Sequence, residues 1–519
     1  MIRPTPQRND AGAGDPAHYV IRVPALSNPS LPAAGERLSQ KHAGAYYTPP
    51  DVAHALVAWA VRGDADRLLD PSCGDGRFIA AHPNSVGVDQ DAVAAAQAAA
   101  RAPSAAVYQA DFFDWAASTT ERFDCAVGNP PFIRYQTFKG AARARALALC
   151  TDHGVRFSGL TSSWAPFLVA AATRLIPGGR MAFVVPAEIG HAPYAAPLLE
   201  FLVAHFARVQ VVAVRDKLFP DLSEDCWLLY ADGYGGRTDY LTLTACDRFA
   251  CMPRSPQSGT RVDVAEWRGV WNRRLRPYLI PQRARDAYAT AVAYPGSARL
   301  GEFAAVGIGY VSGANDFFHL RPSTAERLGI SPEFLRPTVR NGRALPAGVL
   351  TPEVVRAWQD ADAPVLLLNL RRGQDLSDGV RRYLDSPAGQ AARTAYKCRT
   401  RDPWYVVPDV RVPEYMLTYM AGRTASLVRN EAGATCTNAV HAVRVLDRAR
   451  ADALLPRWGS PLTQLSCEVE GHALGGGMLK LEPREAARVL LPAPAVASED
   501  DTAVADGIAA MRRWRHYDA

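Results

Sequence analysis

The chain has 519 residues, of which 48% are hydrophobic and 21% charged, a balance typical of a globular protein with two or three domains. No apolar run reaches the roughly 20 residues that a membrane-spanning helix needs, and the opening residues lack a signal-peptide core, so we expect a cytoplasmic protein without a membrane contact. The nine cysteines contain no C-x-x-C pair, so we expect neither a metal site nor a disulfide framework.

Residues 51 to 233 alternate between helical periodicity and short apolar runs. In chain order the pattern predicts a helix at 51–61, strands at 67–72 and 85–90, a helix at 91–100, strands at 105–113 and 123–131, a helix at 162–176, and strands at 180–186, 208–216 and 225–233. Strands separated by helices of this length indicate an α/β protein with a doubly wound, mostly parallel sheet. In such sheets ligands bind beyond the carboxyl ends of the strands.

Acids and glycines follow the first two strands. The first strand ends in Asp70-Pro-Ser-Cys-Gly-Asp-Gly, where Gly74 and Gly76 would allow a tight turn and a close approach of the backbone to a ligand. The second strand ends at Asp89, an acid suited to ribose hydroxyls. The spacing is not G-x-G-x-x-G and the chain has no phosphate loop, which disfavours a pyrophosphate ligand. A purely structural turn remains the alternative.

The third and fourth predicted strands also end in chemically useful residues. Asp111 and Phe112 supply a carboxylate and a flat ring that could hold the amino edge and the face of an adenine. Gly128-Asn-Pro-Pro-Phe132 ends the fourth strand, and because proline cannot donate a backbone hydrogen bond, the strand must stop there in a rigid, extended loop. An ordinary turn is the alternative.

Taken in this order, the motifs resemble those of the gamma-class DNA amino-methyltransferases. The resemblance covers about residues 40 to 233, with weaker echoes to 485, and is carried by Tyr47-Thr-Pro-Pro50, Asp70 to Gly76, Asp89, Asp111-Phe112 and Asn129 to Phe132. It implies a Rossmann-like sheet and S-adenosyl-L-methionine as the cofactor. It also implies methyl transfer to the exocyclic amino group of a base that is flipped out of duplex DNA.

The resemblance also implies roles for the loop residues. The side-chain oxygen of Asn129 and the carbonyl of Pro130 would accept hydrogen bonds from the amino group and draw its nitrogen toward tetrahedral geometry. Phe132 would stack on the flipped base, and Phe219 could stack on its other face. A loop ring that closes the core is an equally open interpretation of Phe219.

The implied cofactor contacts run along the strand ends. They are Thr48 near the methionine carboxylate, Asp70 and Ser72 along the methionine, Gly74 and Gly76 in the turn, Asp89 on the ribose, and Asp111 with Phe112 on the adenine. Thr48 could instead be the N-cap of the first helix, with Pro49 in its first turn.

Asn129 favours adenine N6 as the methylated position, since cytosine-N4 members of the family more often have serine there. Phe132 departs from the tyrosine that many adenine-specific members have, and cytosine N4 stays the alternative. RNA and release-factor glutamine methyltransferases share Asn-Pro-Pro-aromatic, but nearly 290 residues follow the predicted catalytic fold here, which disfavours both. The intact motifs argue against an inactive DNA-binding module, and residues 1–40 leave no room for a fused nuclease.

The second half carries the positive charge. Residues 251–450 hold 29 Lys and Arg against 18 Asp and Glu, as expected for a surface that neutralises phosphates. Three cations lie next to the aromatic pair Trp404 and Tyr405 in a pattern that suits DNA binding: Lys397, Arg399 and Arg401. A solvated charged loop with two core aromatics remains the alternative. We interpret Asn438 and His441 as structural residues and not as residues that contact bases.

These patterns predict five segments and a set of partners. The segments are an N-terminal arm (1–40), a catalytic domain (41–240), a connection (241–300), a mixed α/β target-recognition domain (301–490) and a C-terminal tail (491–519). We expect a monomer that acts on double-stranded DNA, with a cognate restriction endonuclease as a further partner.

Overall fold

The computed structural model describes residues 19–20, 48–219, 224–249, 258–496 and 501–517. The chain divides into two compact units, 1–278 and 279–519. Apart from residues 19–20, the predicted N-terminal arm lies outside the described residues. In the part of the chain that the structure describes, no helix is long and apolar enough to cross a membrane.

The first unit is built on one ten-stranded sheet with the order β1-β4-β3-β2-β5-β6-β8-β7-β9-β10. Its strands are β1 (Tyr19–Val20), β2 (Leu68–Asp70), β3 (Ser85–Asp89), β4 (Ala106–Gln109), β5 (Phe123–Gly128), β6 (Leu175–Pro186), β7 (Phe206–Val214), β8 (Cys226–Tyr234), β9 (Tyr240–Cys246) and β10 (Thr260–Asp263). Strands β4, β3, β2, β5 and β6 are parallel, whereas β8 is antiparallel to both β6 and β7. The predicted α/β fold with a doubly wound sheet is confirmed.

Seven helices of the first unit are described. They are α1 (Pro50–Ala60), α2 (Ala92–Arg101), α3 (Phe112–Ser118), α4 (Gly140–Asp152), α5 (Trp164–Ala172), α6 (Ala196–His205) and α7 (Val264–Gly269). Helix α1 shows why these segments fold: its residues Val52, Leu56 and Ala60 recur at helical spacing and are all buried against the sheet. The sequence pattern missed four of these helices, α3, α4, α6 and α7.

Two local expectations are wrong. The strand predicted at 105–113 ends at Gln109, because the side chain of Asp111 accepts hydrogen bonds from the amides of Phe113 and Asp114 and so begins α3. Thr48 is not an N-cap either: the N-cap of α1 is Pro49, and Pro50 occupies the first helical position, where its missing amide hydrogen costs nothing.

The second unit contains several small sheets. The larger two have the orders β12-β21-β17-β19-β15 and β13-β16-β14-β20, and the smaller two are β11-β24 and β18-β23-β22. The strands are β11 (Ala298–Arg299), β12 (Ala304–Ile308), β13 (His319–Leu320), β14 (Leu335–Val339), β15 (Val349–Leu350), β16 (Leu366–Leu368), β17 (Tyr415–Thr418), β18 (Met420–Ala421), β19 (Leu427–Asn430), β20 (Thr435–Cys436), β21 (Val440–Val445), β22 (His472–Ala473), β23 (Leu479–Lys480) and β24 (Leu490–Leu491).

The second unit also contains a series of helices, most of them short. They are α8 (Gln282–Ala293), α9 (Leu300–Phe303), α10 (Asn315–Phe318), α11 (Pro322–Arg327), α12 (Pro352–Asp360), α13 (Asp378–Asp385), α14 (Pro387–Thr394), α15 (Tyr396–Arg399), α16 (Leu454–Trp458), α17 (Pro461–Glu470), α18 (Pro483–Ala486) and α19 (Asp501–Trp514). The segment predicted as a tail thus contains α19, which packs on α8 and α17. The segment predicted as a connection contains β10 of the first unit and α8 of the second.

Candidate active site at the switch point of the sheet

The order of the strands reverses between β2 and β5. Strands β3 and β4 lie on one side of β2, and β5 and β6 lie on the other. A crevice opens at the carboxyl edge of a parallel sheet where the connections diverge in this way. Because Leu69 of β2 pairs with Ala126 of β5, the loops that follow Asp70 and Gly128 emerge side by side. The two motifs that the sequence places on separate strands therefore meet at this point.

Asp70 is buried at the end of β2. Its side chain is 0% exposed, and Oδ1 accepts a hydrogen bond of 3.1 Å from the Ser72 amide. No donor from the described residues reaches Oδ2, and burial raises the pKa of this carboxyl group to about 8. A Cβ at position 128 would lie 2.8 Å from Asp70 Oδ1, so a larger residue at the end of β5 would displace this carboxyl group. The site thus holds a buried acid with one oxygen atom that accepts no hydrogen bond from the described residues.

Asp89 is the last residue of β3, and its side chain accepts a hydrogen bond from the glycine turn. Its Oδ2 accepts from the Gly74 amide and its Oδ1 from the Asp91 amide, each at 2.9 Å, and burial raises its pKa. Gly74 and Gly76 both have positive φ, at 52° and 85°. A Cβ on Gly76 would lie 2.7 Å from the Cα of Ala98 in α2, so this glycine allows the helix to pack closely on the loop.

Asp111 and Phe112 begin α3 beside the same edge of the sheet. Oδ1 of Asp111 caps the helix, and Oδ2 lies 3.9 Å from the guanidinium of Arg145 on α4. The Phe112 ring is 3% exposed and stacks on Phe167, with 5.4 Å between centroids and 19° between planes. Because protein already fills one face of this ring, a bound adenine could meet only its edge or its other face.

Thr48 is buried just before α1, and its carbonyl accepts a 2.7 Å hydrogen bond from Arg77, which follows the glycine turn. The segment before α1 is thereby tied to the loop that begins at Asp70. The three acids and this segment offer acceptors for a ligand that carries a positive charge together with hydroxyl and amino donors.

The loop after β5 is held by two serines. Ser72 donates to the carbonyl of Asn129 at 3.2 Å, and Ser163 donates to the carbonyl of Pro131. The Pro130 carbonyl lies between these two and accepts no hydrogen bond from the described residues. Ser163 was missed from the sequence because a serine in the first turn of a predicted helix carries no functional signal, and here its hydroxyl bonds the loop after β5.

The two aromatic candidates have different environments. Phe132 is half-buried and packs against a core cluster, whereas Phe219 is 6% exposed and is a member of that cluster. Phe219 therefore closes the core in this structure, which is one of the two interpretations that the sequence allowed. Its predicted stacking on a base would require the ring to leave the core.

In the second unit the three predicted DNA contacts separate. Lys397 and Arg399 are exposed on α15, with their charged groups 5.8 and 5.4 Å from the centroid of the exposed Tyr396 ring. Arg401 instead donates to the carbonyls of Val311 and Ser312 at 2.6 and 2.7 Å. Arg401 thus fixes a neighbouring loop, and its position does not support the predicted DNA contact.

His441 is 0% exposed and bonds the Leu481 carbonyl at 2.6 Å, so its structural assignment agrees with its position.

Two family descriptions match this chain. Residues 89–219 match the Eco57I restriction-modification methylase, and residues 272–518 match the C-terminal domain of the type II methyltransferase M.Eco57I. The first of these includes the acid that ends β3 and the loop that follows β5. The chain belongs to the DNA methyltransferases of restriction-modification systems. Its methyl donor is therefore S-adenosyl-L-methionine.

Individual related methyltransferases align with most of this chain. The type II methyltransferase M.XamI of Xanthomonas campestris pv. amaranthicola is 24% identical over 87% of this chain and 85% of its own length. M.AccI of Acinetobacter calcoaceticus is 18% identical over 72% of this chain and 68% of its own. The solved structure of the type IIL restriction-modification enzyme MmeI in complex with DNA has the same fold, with a TM-score of 0.53, 13% identity, and coverage of 85% of this chain and 64% of that one.

Proposed function

We propose that this methyltransferase transfers a methyl group from S-adenosyl-L-methionine to adenine N6 of a base flipped out of duplex DNA. The observation that carries the proposal is the Pro130 carbonyl, which accepts no hydrogen bond from the described residues while the carbonyls on both sides of it are occupied. An acceptor kept open beside Asn129, in a loop made rigid by two prolines, suits an amino group with two hydrogens to donate.

The reaction requires an amino nitrogen whose lone pair is delocalised into the base to attack the methyl group. Two acceptors, the Asn129 side chain and the Pro130 carbonyl, would hold the amino hydrogens and favour the pyramidal nitrogen of the transition state. Phe132 would stack on the extruded base, which contributes about 1–3 kcal/mol and offsets much of the cost of unstacking.

The cofactor, when bound, supplies a methyl group activated by a positive sulfonium. On this proposal the unpartnered Oδ2 of Asp70 receives the cationic amino group of the methionine part. Asp89 accepts from the ribose hydroxyls, and Oδ2 of Asp111 accepts from the adenine amino group while Oδ1 caps α3. Thr48, Ser72 and the glycine turn at Gly74 and Gly76 complete the predicted contacts.

We further propose that the second unit reads the DNA sequence and clamps the backbone, and that Lys397 and Arg399 contribute phosphate contacts. The protein would act in the cytoplasm as a monomer, within a pair whose other member is a restriction endonuclease of the same specificity. The domain boundaries predicted from the sequence belong to this proposal.

The direct test measures transfer of a labelled methyl group to duplex DNA, followed by digestion to nucleosides. The product is expected to be N6-methyladenine, and Asn129→Ala should reduce transfer by at least about 100-fold while DNA and cofactor affinity persist. Asn84→Ala is the matched control, because the Asn84 amide bonds the Ala65 carbonyl at the opposite end of the sheet. Recovery of N4-methylcytosine would show that the target base is cytosine and not adenine. Full activity of Asn129→Ala would show that the Asn129 side chain does not take part in methyl transfer.

Single-molecule sequencing of DNA from cells that express the protein would give the methylated base and the recognition sequence together. Fluorescence of 2-aminopurine at the target position, which rises when a base leaves the stack, tests flipping directly.

A further inference from the structure

We infer that Ser163 is a positioning residue for methyl transfer: it fixes the loop after β5 so that the Pro130 carbonyl points at the amino group of the target base. The inference rests on the proposed function, because it assigns a task within the same loop. It concerns a serine that precedes α5 and that makes no predicted contact with substrate or cofactor.

The loop cannot hold itself in place. Neither Pro130 nor Pro131 has an amide hydrogen, so two successive residues cannot donate the backbone hydrogen bonds that help to fix most loops. The proline rings restrict φ, but the direction of each carbonyl depends on ψ, which the rings leave adjustable. Side chains from other segments must therefore determine where these carbonyls point.

Ser163 supplies three hydrogen bonds to this loop. Its hydroxyl donates to the Pro131 carbonyl and accepts from the Ile133 amide at 2.9 Å, and its own amide donates to the Ile133 carbonyl at 3.0 Å. The residue is 0% exposed, so water does not compete for these bonds. A hydroxyl is suited to this position because it donates and accepts at one atom.

Ser72 completes the arrangement from the other side. Its hydroxyl donates to the Asn129 carbonyl at 3.2 Å, so the peptide groups on both sides of the Pro130–Pro131 peptide are fixed. The direction of the Pro130 carbonyl then follows from its two neighbours. Since Ser72 belongs to the loop after β2, this contact also ties the cofactor loop to the loop after β5.

The support for Ser163 is itself rigid. Residues 164–172 of α5 are all buried, and the indole of Trp164 donates to the Tyr194 hydroxyl at 3.1 Å. That hydroxyl donates in turn to the carboxylate of Glu188, which follows β6. A buried helix with a fixed first residue thus holds the serine, and a shift in the loop would require a shift in the helix.

Ser163→Ala tests the assignment through single-turnover kinetics. We expect the rate of methyl transfer to fall by about 10- to 100-fold, because a misplaced acceptor misaligns the attacking nitrogen, while the Kd values for cofactor and for DNA change by less than about threefold. Ser163→Cys keeps the size of the side chain with a weaker donor and acceptor, and should give an intermediate rate.

Ser85→Ala is the matched control. Ser85 is a buried serine of the same sheet whose hydroxyl donates to the His82 carbonyl at 2.6 Å, at the end of β3 away from the site. This variant should lose comparable stability and keep the transfer rate. Loss of rate in Ser85→Ala equal to that in Ser163→Ala would show a general effect of stability and would overturn the inference.

A transfer rate in Ser163→Ala equal to that of the unmodified protein would also overturn it. If Ser163→Ala keeps its rate while Asn129→Ala is inactive, the proposed function stands and only the role of Ser163 is wrong. If Asn129→Ala is active, the proposed function itself is wrong. If Ser163→Ala does not fold, the rate of Ser163→Cys decides, and an unchanged rate there counts against the assignment.

Discussion

The buried carboxyl group of Asp70, whose Oδ2 accepts no hydrogen bond from the described residues, predicts that cofactor binding depends strongly on pH. Burial raises the pKa of Asp70 to about 8, with the neighbouring acids Asp89 and Asp75 acting in the same direction. In the free protein near neutral pH the group is therefore mostly protonated. In the role proposed for it, the group must lose that proton to pair with the cationic amino group of S-adenosyl-L-methionine, so binding should release a proton and affinity should rise with pH up to about 8.

The magnitude follows from the ionised fraction. With a pKa of about 8, this fraction rises about 75-fold between pH 5.5 and pH 7.5, which corresponds to about 2.5 kcal/mol of binding free energy if the bound cation keeps Asp70 ionised. An α-amino group has a pKa of about 7.7–8.0 and keeps its charge through most of this window. Asp89, whose pKa is also raised by burial, would add to the slope with the same sign.

Isothermal titration of cofactor into the protein at several pH values, in buffers of different ionisation enthalpy, measures both affinity and released protons. Asp70→Asn should bind more weakly at pH 7.5 and should lose most of the slope. Asp64→Asn removes an exposed carboxylate near the other end of β2 and should keep the slope. A flat affinity in the unmodified protein, or an undiminished slope in Asp70→Asn, would refute the reasoning.

Three further predictions concern residues away from Asp70. Phe219→Ala should lower the free energy of unfolding in urea by about 3–5 kcal/mol, as for other core rings, and full stability with loss of base flipping would instead favour the stacking role. Arg515→Ala should cost about 3–5 kcal/mol, because it leaves the buried Glu468 carboxylate without its 2.8 and 2.9 Å hydrogen bonds, and an unchanged urea midpoint would contradict this. Replacing Lys397 and Arg399 together by Ala should reduce the slope of log affinity against log salt by about 2, measured by DNA titration, and an unaltered slope would exclude them as phosphate contacts.

The sequence predicts the fold of the first half well because burial there follows simple periods. Continuous apolar runs predict buried strands such as β5, and apolar residues at helical spacing predict a helix with one buried face such as α1. Helix α4 was missed for the opposite reason: of its thirteen residues only Ala146 and Cys150 are buried, so no apolar face marks it.

Within the site, the sequence reveals the identity of the acids but not their partners. Asp70 and Asp89 end strands as predicted, since each lies directly after an apolar run that the local pattern marks as a strand. Asp111 was misplaced on a strand because its capping of α3 depends on backbone geometry that apolar periodicity does not encode.

Contacts between distant segments account for the remaining differences. Ser163 meets the proline loop across about 30 residues of chain, and Arg401 reaches carbonyls 89 and 90 residues away. A single sequence contains no periodic signal for such pairs. The basic and aromatic composition around Arg401 suggested one surface, whereas in the fold Lys397 and Arg399 are exposed and the half-buried Arg401 supports a neighbouring loop.

The packing of α19 onto α8 has a consequence for any exchange of the second unit between related enzymes. These two helices are the last and the first of the second unit, and they approach so closely that a Cβ on Gly507 would lie 2.9 Å from the Cβ of Ala284. An exchange of the second unit must therefore replace α8 and α19 together, because each helix supplies part of the other's packing surface. The exchanged segment must also include Arg515, because that side chain fastens the end of α19 to Glu468.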